Sequence, residues 1–211
     1  KRNPLDPMLW RGRSGSDPYW PSTLGEGRPG WHIECSAIAT HYLGAQIDIQ
    51  GGGSDLKFPH HEMSAAHAQS LTGVSPFATN FMHAGMVALD GEKMSKSLGN
   101  LVFISKLRAS GTDPMAIRLT LLAHHYRSDW EWFADELAQA TTKLESWRKA
   151  FSQGNGAKNV VDQIANALQH DLDTPAAIAI IDNWVAQTLS GDTSEPTNVM
   201  ASAVDALLGI I

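Results

Sequence analysis

The chain has 211 residues, 43% of them hydrophobic, enough to bury a sizeable core in one or two domains. No run approaches the roughly 18 apolar residues of a membrane span, and the charged first residues, Lys1 to Asp6, hold no apolar signal core, so a cytoplasmic protein without a membrane contact is expected. A single cysteine, Cys35, excludes an intramolecular disulfide, and residues 152–211 hold one base, Lys158, against seven acids, which places the net charge of −6 in the part least suited to gripping nucleic-acid phosphates.

Residues 1–30 are rich in Pro, Gly, Ser and Trp and read as irregular structure. From Trp31 the apolar residues Ile33, Ala37, Ile38 and Tyr42 recur at helical spacing, and Gly44 is placed to end the helix. Gln46–Gln50 alternates like a short strand that stops at Gly51-Gly52-Gly53. Pro59 can open a second helix, which runs through His60, His61, Ala65 and Ala68 to Leu71 and closes at Gly73. Phe81 to Leu89 reads as another strand, and Asp90–Asn100 as a polar loop. Helices are then expected near 103–109, 113–125, 133–151, 159–170, 174–189 and 197–208, with linkers at Gln153–Ala157 and Gly191–Pro196 and no further strand. Strands alternating with helices, then helices alone, give an α/β first domain (1–100) and an all-α helical domain (101–211).

Three short segments carry residues suited to chemistry. Gly51-Gly52-Gly53-Ser54-Asp55 follows a strand, where glycines let the backbone approach a ligand and Asp55 can accept from a ribose or an amine; the same pattern also occurs as a simple turn. Cys35 and His60, each near the start of a helix flanking that strand, are a plausible pair of zinc ligands, although a zinc site takes three or four and a buried thiol beside a helix histidine is the plainer account. His61, Glu62, Ser64 or a group outside the chain could supply a third. Lys93-Met94-Ser95-Lys96-Ser97 is a cationic loop suited to a polyphosphate whose negative charge grows in a transition state, unless it is a solvated surface loop. Trp31 lies one helical turn before Cys35, on the same face, where it could line a small-substrate pocket; Trp130 and Trp132 read as packing.

Together, Gly27-Arg28-Pro29-Gly30-Trp31-His32-Ile33-Glu34-Cys35-Ser36, Gly51–Asp55, Phe58-Pro59-His60-His61-Glu62 and Lys93–Ser97 resemble the cysteinyl-tRNA synthetase-like class I ligases over residues 27–130. The resemblance implies the second half of a class I Rossmann-type catalytic domain followed by a stem and helical bundle. The family has two branches: cysteinyl-tRNA synthetases, and mycothiol-biosynthesis ligases that join cysteine to glucosaminyl-inositol. Ser64, where the tRNA enzymes carry a glutamate near zinc, is similar to the second branch, as are Gln50, His83-Ala84-Gly85-Met86 and Asp129-Trp130-Glu131-Trp132.

By resemblance, Cys35 and His60 hold one Zn2+ that binds substrate cysteine through its thiolate. Trp31, Gly53, Ser54, Asp55 and Val87 line the cysteinyl-adenylate pocket, and Lys93 and Lys96 steady the pyrophosphate leaving ATP, with Mg2+. L-cysteine and glucosaminyl-inositol are the expected partners and tRNA is not. The family's His-x-Gly-His signature and another zinc cysteine are expected in an N-terminal half of the same protein, so the isolated chain is expected to be inactive. A different class of reading, an inactive synthetase-derived binding module, leaves the lysine loop and the glycine loop without a purpose.

Overall fold

The computed structural model describes residues 2–153, 158–191 and 199–211, and the expected linkers fall largely outside these residues. The chain divides into two compact units, Lys1–Ala84 and Gly85–Ile211, so residues 85–100, assigned from sequence to the first domain, pack within the second unit.

The first unit corrects the expectation of an irregular start. Two short strands, β1 (Trp10–Gly12) and β2 (Gly27–Pro29), pair antiparallel with Arg11 opposite Arg28. The ribbon escapes a sequence reading because its strands are short and neither alternates cleanly. Glycine permits the close pairing: a Cβ on Gly27 would lie 2.2 Å from the Arg11 carbonyl oxygen, and one on Gly30 would lie 1.7 Å from that of Met8.

Helix α1 (Trp31–Leu43) follows and ends, as the glycine signal predicts, at Gly44, whose amide donates to the Thr40 carbonyl. Strand β3 (Ile47–Gly53) runs through the three glycines, farther than the alternating segment alone suggests. After a 3-10 turn (Ser54–Leu56) and a wide helical turn (Lys57–His61), helix α2 (Glu62–Thr72) ends at Gly73 in a left-handed conformation. Strand β4 (Ala78–Ala84) then pairs parallel with β3, Ile47 opposite Ala78 and Gly53 opposite Ala84. A parallel pair needs a crossover, and α2 supplies it. Ala65, Ala68, Phe77 and Ala78 form the small buried core, with Ala39 and Ile47 packed against it. The alanines of α2 let it lie close to the strands.

In the second unit the expected strand Phe81–Leu89 is broken, and its distal part is β5 (Val87–Leu89). The break is at Gly85, where a Cβ would stand 2.1 Å from the Ser128 carbonyl oxygen and whose amide donates to Tyr126 at 2.7 Å. Strand β5 pairs antiparallel with β6 (Glu92–Lys93) and parallel with β7 (Trp130–Glu131). The last of these corrects the expectation of no strand beyond residue 100; two residues are too few to give a periodic signal.

The helices α3 (Ile104–Ala109), α4 (Pro114–Leu122), α5 (Ala134–Ser152), α6 (Lys158–Gln169), α7 (Thr174–Leu189) and α8 (Val199–Leu208) lie close to the expected positions. Leu119, Leu144, Trp147, Ile164, Ile181, Met200 and Val204 form their common core. Trp147 is fully buried and satisfies its indole N–H on Asp182 at 2.8 Å, while Lys143 pairs with the other oxygen of the same carboxylate.

Asp113 ties three parts of this core together. Its carboxylate caps α4 by accepting from the Met115 amide at 2.8 Å and from Arg148 of α5 at 2.6 Å. Arg148 in turn donates to the Ile211 carbonyl at 2.7 Å. The Arg148 hydrogen bond and then the cap hold the Asp113 carboxyl below its usual range. Asp113→Ala is expected to lower stability by about 1 to 2 kcal/mol in urea denaturation at pH 7, with Asp113→Asn intermediate. A depressed folded pKa contributes stability that is complete above the unfolded value of about 3.9 and fades as pH falls through the folded value, so the difference between wild type and Asp113→Ala should shrink in that acid range.

Candidate active site in the first unit

Helix α1 and the turn entering α2 bring Trp31, Cys35 and His60 together. The Trp31 indole stacks on the His60 imidazole with centroids 4.1 Å apart, and Cys35 follows Trp31 by one turn of the same helix. The helical offset between Trp31 and Cys35 thus puts both on the face that meets His60. Burial and then the neighbouring Glu34 push the thiol pKa up, with the indole contact acting the other way.

The histidines are arranged in two linked pairs that the spacing of residues does not reveal. His60 Nδ1 lies 2.9 Å from His32 Nδ1, and His61 Nδ1 lies 2.8 Å from His83 Nε2 on β4. Each contact needs one ring nitrogen protonated and the other bare. Burial, then the neighbouring histidines, lower the pKa of both His60 and His61 and favour the neutral rings. Ser64 Oγ donates to the His32 carbonyl at 3.2 Å, so the serine at this distinctive position braces the helix that carries Trp31 and Cys35. From sequence, His32 and His83 belong only to the family-like segments 27–36 and 83–86 and carry no assigned role; their pairing with His60 and His61 is not legible there, because each partner lies on a distant segment.

Two side chains of kinds that bind zinc lie near Trp31: donation of Nδ1–H from His60 to His32 would leave Nε2 bare for a metal, and Cys35 is one helical turn from the indole that stacks on His60. No group of three or more His, Cys, Asp and Glu able to hold a metal occurs among the described residues. A zinc ion takes three or four ligands, so Cys35 and His60 by themselves are too few to hold one.

Gly53, Ser54 and Asp55 stand where β3 gives way to the 3-10 turn. The glycine just before them has a definite structural reason: a Cβ on Gly52 would lie 2.8 Å from Cε1 of the buried His61, whereas one on Gly51 would meet only the Met82 carbonyl oxygen at 3.7 Å. Gln50 places its side-chain oxygen in the interior with no hydrogen-bond partner among the described residues. Next to the Trp31 end of α1 a cavity of about 400 Å3 is lined by residues of 4–11, 28–32 and Pro59.

Val87, Lys93 and Lys96 belong to the second unit. Val87 accepts from the Met94 amide at 3.4 Å, and Lys93 ends β6. Asn100 closes the lysine loop by accepting from the Ser95 amide at 2.8 Å and donating to the Lys93 carbonyl at 3.3 Å, with Ser95 and Ser97 hydroxyls 3.1 Å apart inside it. Two distinctive segments also meet here: the Met86 amide donates to Asp129 at 2.7 Å and the Trp130 amide to the Met86 carbonyl at 3.0 Å. Trp130 itself stacks on His124 at 3.9 Å, and Trp132 is buried, in keeping with packing roles.

Residues 1–142 match the family model described as the tRNA synthetases class I (C) catalytic domain. The chain belongs to this family. Among curated class I relatives it is 60% identical, over its whole length, to the L-cysteine:1D-myo-inositol 2-amino-2-deoxy-alpha-D-glucopyranoside ligase of Streptomyces coelicolor, covering 53% of that protein. It is 56% identical to the ligase of the same name from Thermomonospora curvata, again over the whole chain and covering 52% of that protein. The chain thus spans about half the length of the curated relatives it matches. The Agrobacterium radiobacter K84 LeuRS, solved in a ternary complex with tRNA and LeuAMS, shares the fold, with a TM-score of 0.56 at 19% identity over 76% of this chain and 25% of that one. No helix among the described residues is long and apolar enough to cross a membrane.

The glycine geometry of this class I chain makes a differential prediction. Gly52→Ala is expected to push the His61 ring from its place and cost about 1 to 3 kcal/mol in urea denaturation, while Gly51→Ala stays within about 1 kcal/mol of wild type. Equal effects of the two substitutions would contradict the assigned contact.

Proposed function

We propose that this chain is part of an ATP-dependent ligase that activates L-cysteine as cysteinyl adenylate and transfers it to the amine of glucosaminyl-inositol, as in mycothiol biosynthesis in the cytoplasm. The observation that carries the reading is the 54 to 60% identity, along the full chain, to relatives bearing that ligase name, together with the gathering of Trp31, Cys35 and His60 on one face. In this reading residues 1–100 complete a Rossmann-type catalytic domain whose ATP-binding elements lie in the rest of the polypeptide, and residues from 101 form a stem and helical bundle.

Cys35 and His60, with an outside ligand, would hold one zinc ion. When bound, this ion favours a thiolate over a hydroxyl, which separates cysteine from serine by chemistry rather than size. A neutral His60 ring that donates its Nδ1–H to His32 would present a bare Nε2 to the ion, and Trp31 covers the imidazole on one side. Gly53, Ser54 and Asp55 would bind the adenylate: the glycine admits its sugar or amine to the backbone, and Asp55 accepts hydrogen bonds from it. The cysteine carboxylate attacks the α-phosphorus of ATP and pyrophosphate departs with Mg2+, its growing charge met by the ammonium groups of Lys93 and Lys96 on a loop preset by Asn100. The acceptor amine then attacks the acyl carbon, forming the amide and releasing AMP.

The acidic stretch 152–211 supports the amino-sugar acceptor over a tRNA, whose phosphates call for basic partners. AMP release by the full-length enzyme with cysteine and ATP tests the reading: turnover with glucosaminyl-inositol and none with cysteine tRNA is expected, and charging of tRNA alone would refute it. In the same enzyme Lys96→Ala is expected to lower the rate of cysteine-dependent pyrophosphate release about 100-fold with little change in the KM for cysteine. Purified full-length enzyme should carry about one zinc per chain, and both Cys35→Ala and His60→Ala should lose most of it, as read by elemental analysis. Unchanged metal content in either variant would remove that residue from the zinc site.

A further inference from the structure

The antiparallel ribbon sets two arginines side by side. Arg11 and Arg28 are direct cross-strand partners, and both line the cavity of about 400 Å3 at the Trp31 end of α1. Like charges directly opposite each other weaken a strand pair. Asp17 offsets only one of them, by its ion pair with Arg28 at 3.1 Å; the Arg11 guanidinium makes no hydrogen bond or ion pair among the described residues. A two-stranded ribbon that tolerates this arrangement has a use for the second charge.

The rest of the cavity says which ligand suits it. Asp6 is on the lining, and its carboxylate is held in place by accepting from the Arg2 and Asn3 amides at 2.8 and 2.9 Å. A carboxylate beside guanidinium groups disfavours a phosphate but matches hydroxyl groups, each of which donates one hydrogen bond and accepts others. Trp31, 58% exposed, and Pro59 supply flat apolar surface for the C–H face of a ring. The floor is preformed, because Gly27 and Gly30 admit the Met8–Arg11 backbone at distances no side chain would allow.

We infer that this cavity, bounded by Asp6, Arg11, Arg28, Trp31, His32 and Pro59, binds the polyhydroxylated acceptor of the transfer step. The assignment rests on the ligase reading above and goes further by locating the second substrate. Trp31 is shared between this cavity and the Cys35–His60 cluster, so an acceptor held here brings its amine to the neighbourhood where the activated cysteine is expected. Arg11 acts as a specificity residue through hydrogen bonds to acceptor hydroxyls.

The test uses the full-length enzyme and separates the two half-reactions. In Arg11→Ala, cysteine-dependent ATP–pyrophosphate exchange is expected at the wild-type rate, which also certifies the fold, while the KM for glucosaminyl-inositol rises about 10-fold or more, the weight of one lost hydrogen bond to a charged donor. Arg11→Lys, which keeps the charge without the planar fork, should fall between the two. A wild-type KM for glucosaminyl-inositol in Arg11→Ala, with exchange intact, overturns the acceptor cavity and leaves the ligase reading standing. Inhibition by inorganic phosphate that Arg11→Ala relieves, with the acceptor KM unmoved, overturns it in favour of an anion site. Absence of cysteine-dependent exchange in the wild-type enzyme would instead overturn the ligase reading on which the inference rests.

Discussion

The arrangement of the first unit depends on a missing Cβ at Gly52. The buried His61 ring occupies the space a side chain there would take, so the turn into α2 can press against β3. His61 is then held across the crossover by His83, and its neighbour His60 is directed toward α1, where it meets Trp31 by stacking and His32 by a nitrogen-to-nitrogen contact. Cys35 lies one helical turn beyond Trp31 on α1. A strand glycine, which by itself weakens a sheet, here makes room for the residues with the most chemistry.

The lowered pKa values of His60 and His61 follow from the same packing: burial disfavours their charged rings, and the neighbouring histidines add to the penalty. Neutral rings with one nitrogen occupied are oriented donors. The second unit uses a different device for its cationic loop: Asn100 bonds to both the Lys93 carbonyl and the Ser95 amide, fixing the backbone while the lysine side chains remain at the surface. The first unit thus gathers buried imidazoles, and the second presents lysines on a loop held by Asn100.

Segments that resemble one branch of the class I family are tied together by this fold. Ser64 braces α1 by donating its hydroxyl to the His32 carbonyl. The Gly85-Met86 and Asp129-Trp130 segments, distant in sequence, are joined by backbone and carboxylate hydrogen bonds, so they distinguish the chain as one structural unit rather than two. The helices beyond Phe133 bury their apolar faces against each other around Trp147, and residues 152–211 of the sequence hold one base against seven acids.

The sequence by itself determined the helices, their glycine ends, the β3–α2–β4 order and the identity of Trp31, Cys35, His60 and the two loop lysines as residues to watch. These are local signals: periodicity, capping and short motifs act within a few residues of themselves. The β1–β2 ribbon, the break at Gly85, the two-residue β7 and the histidine pairs were decided only in three dimensions. Each depends on a contact between distant segments, such as Arg11 with Arg28, Gly85 with Ser128 or His61 with His83, that leaves no period in the chain. Gly27, Gly30, Gly52 and Gly85 show the limit most plainly: each is visible in the sequence as a residue without a side chain, but what fills the vacated space is chosen by the fold.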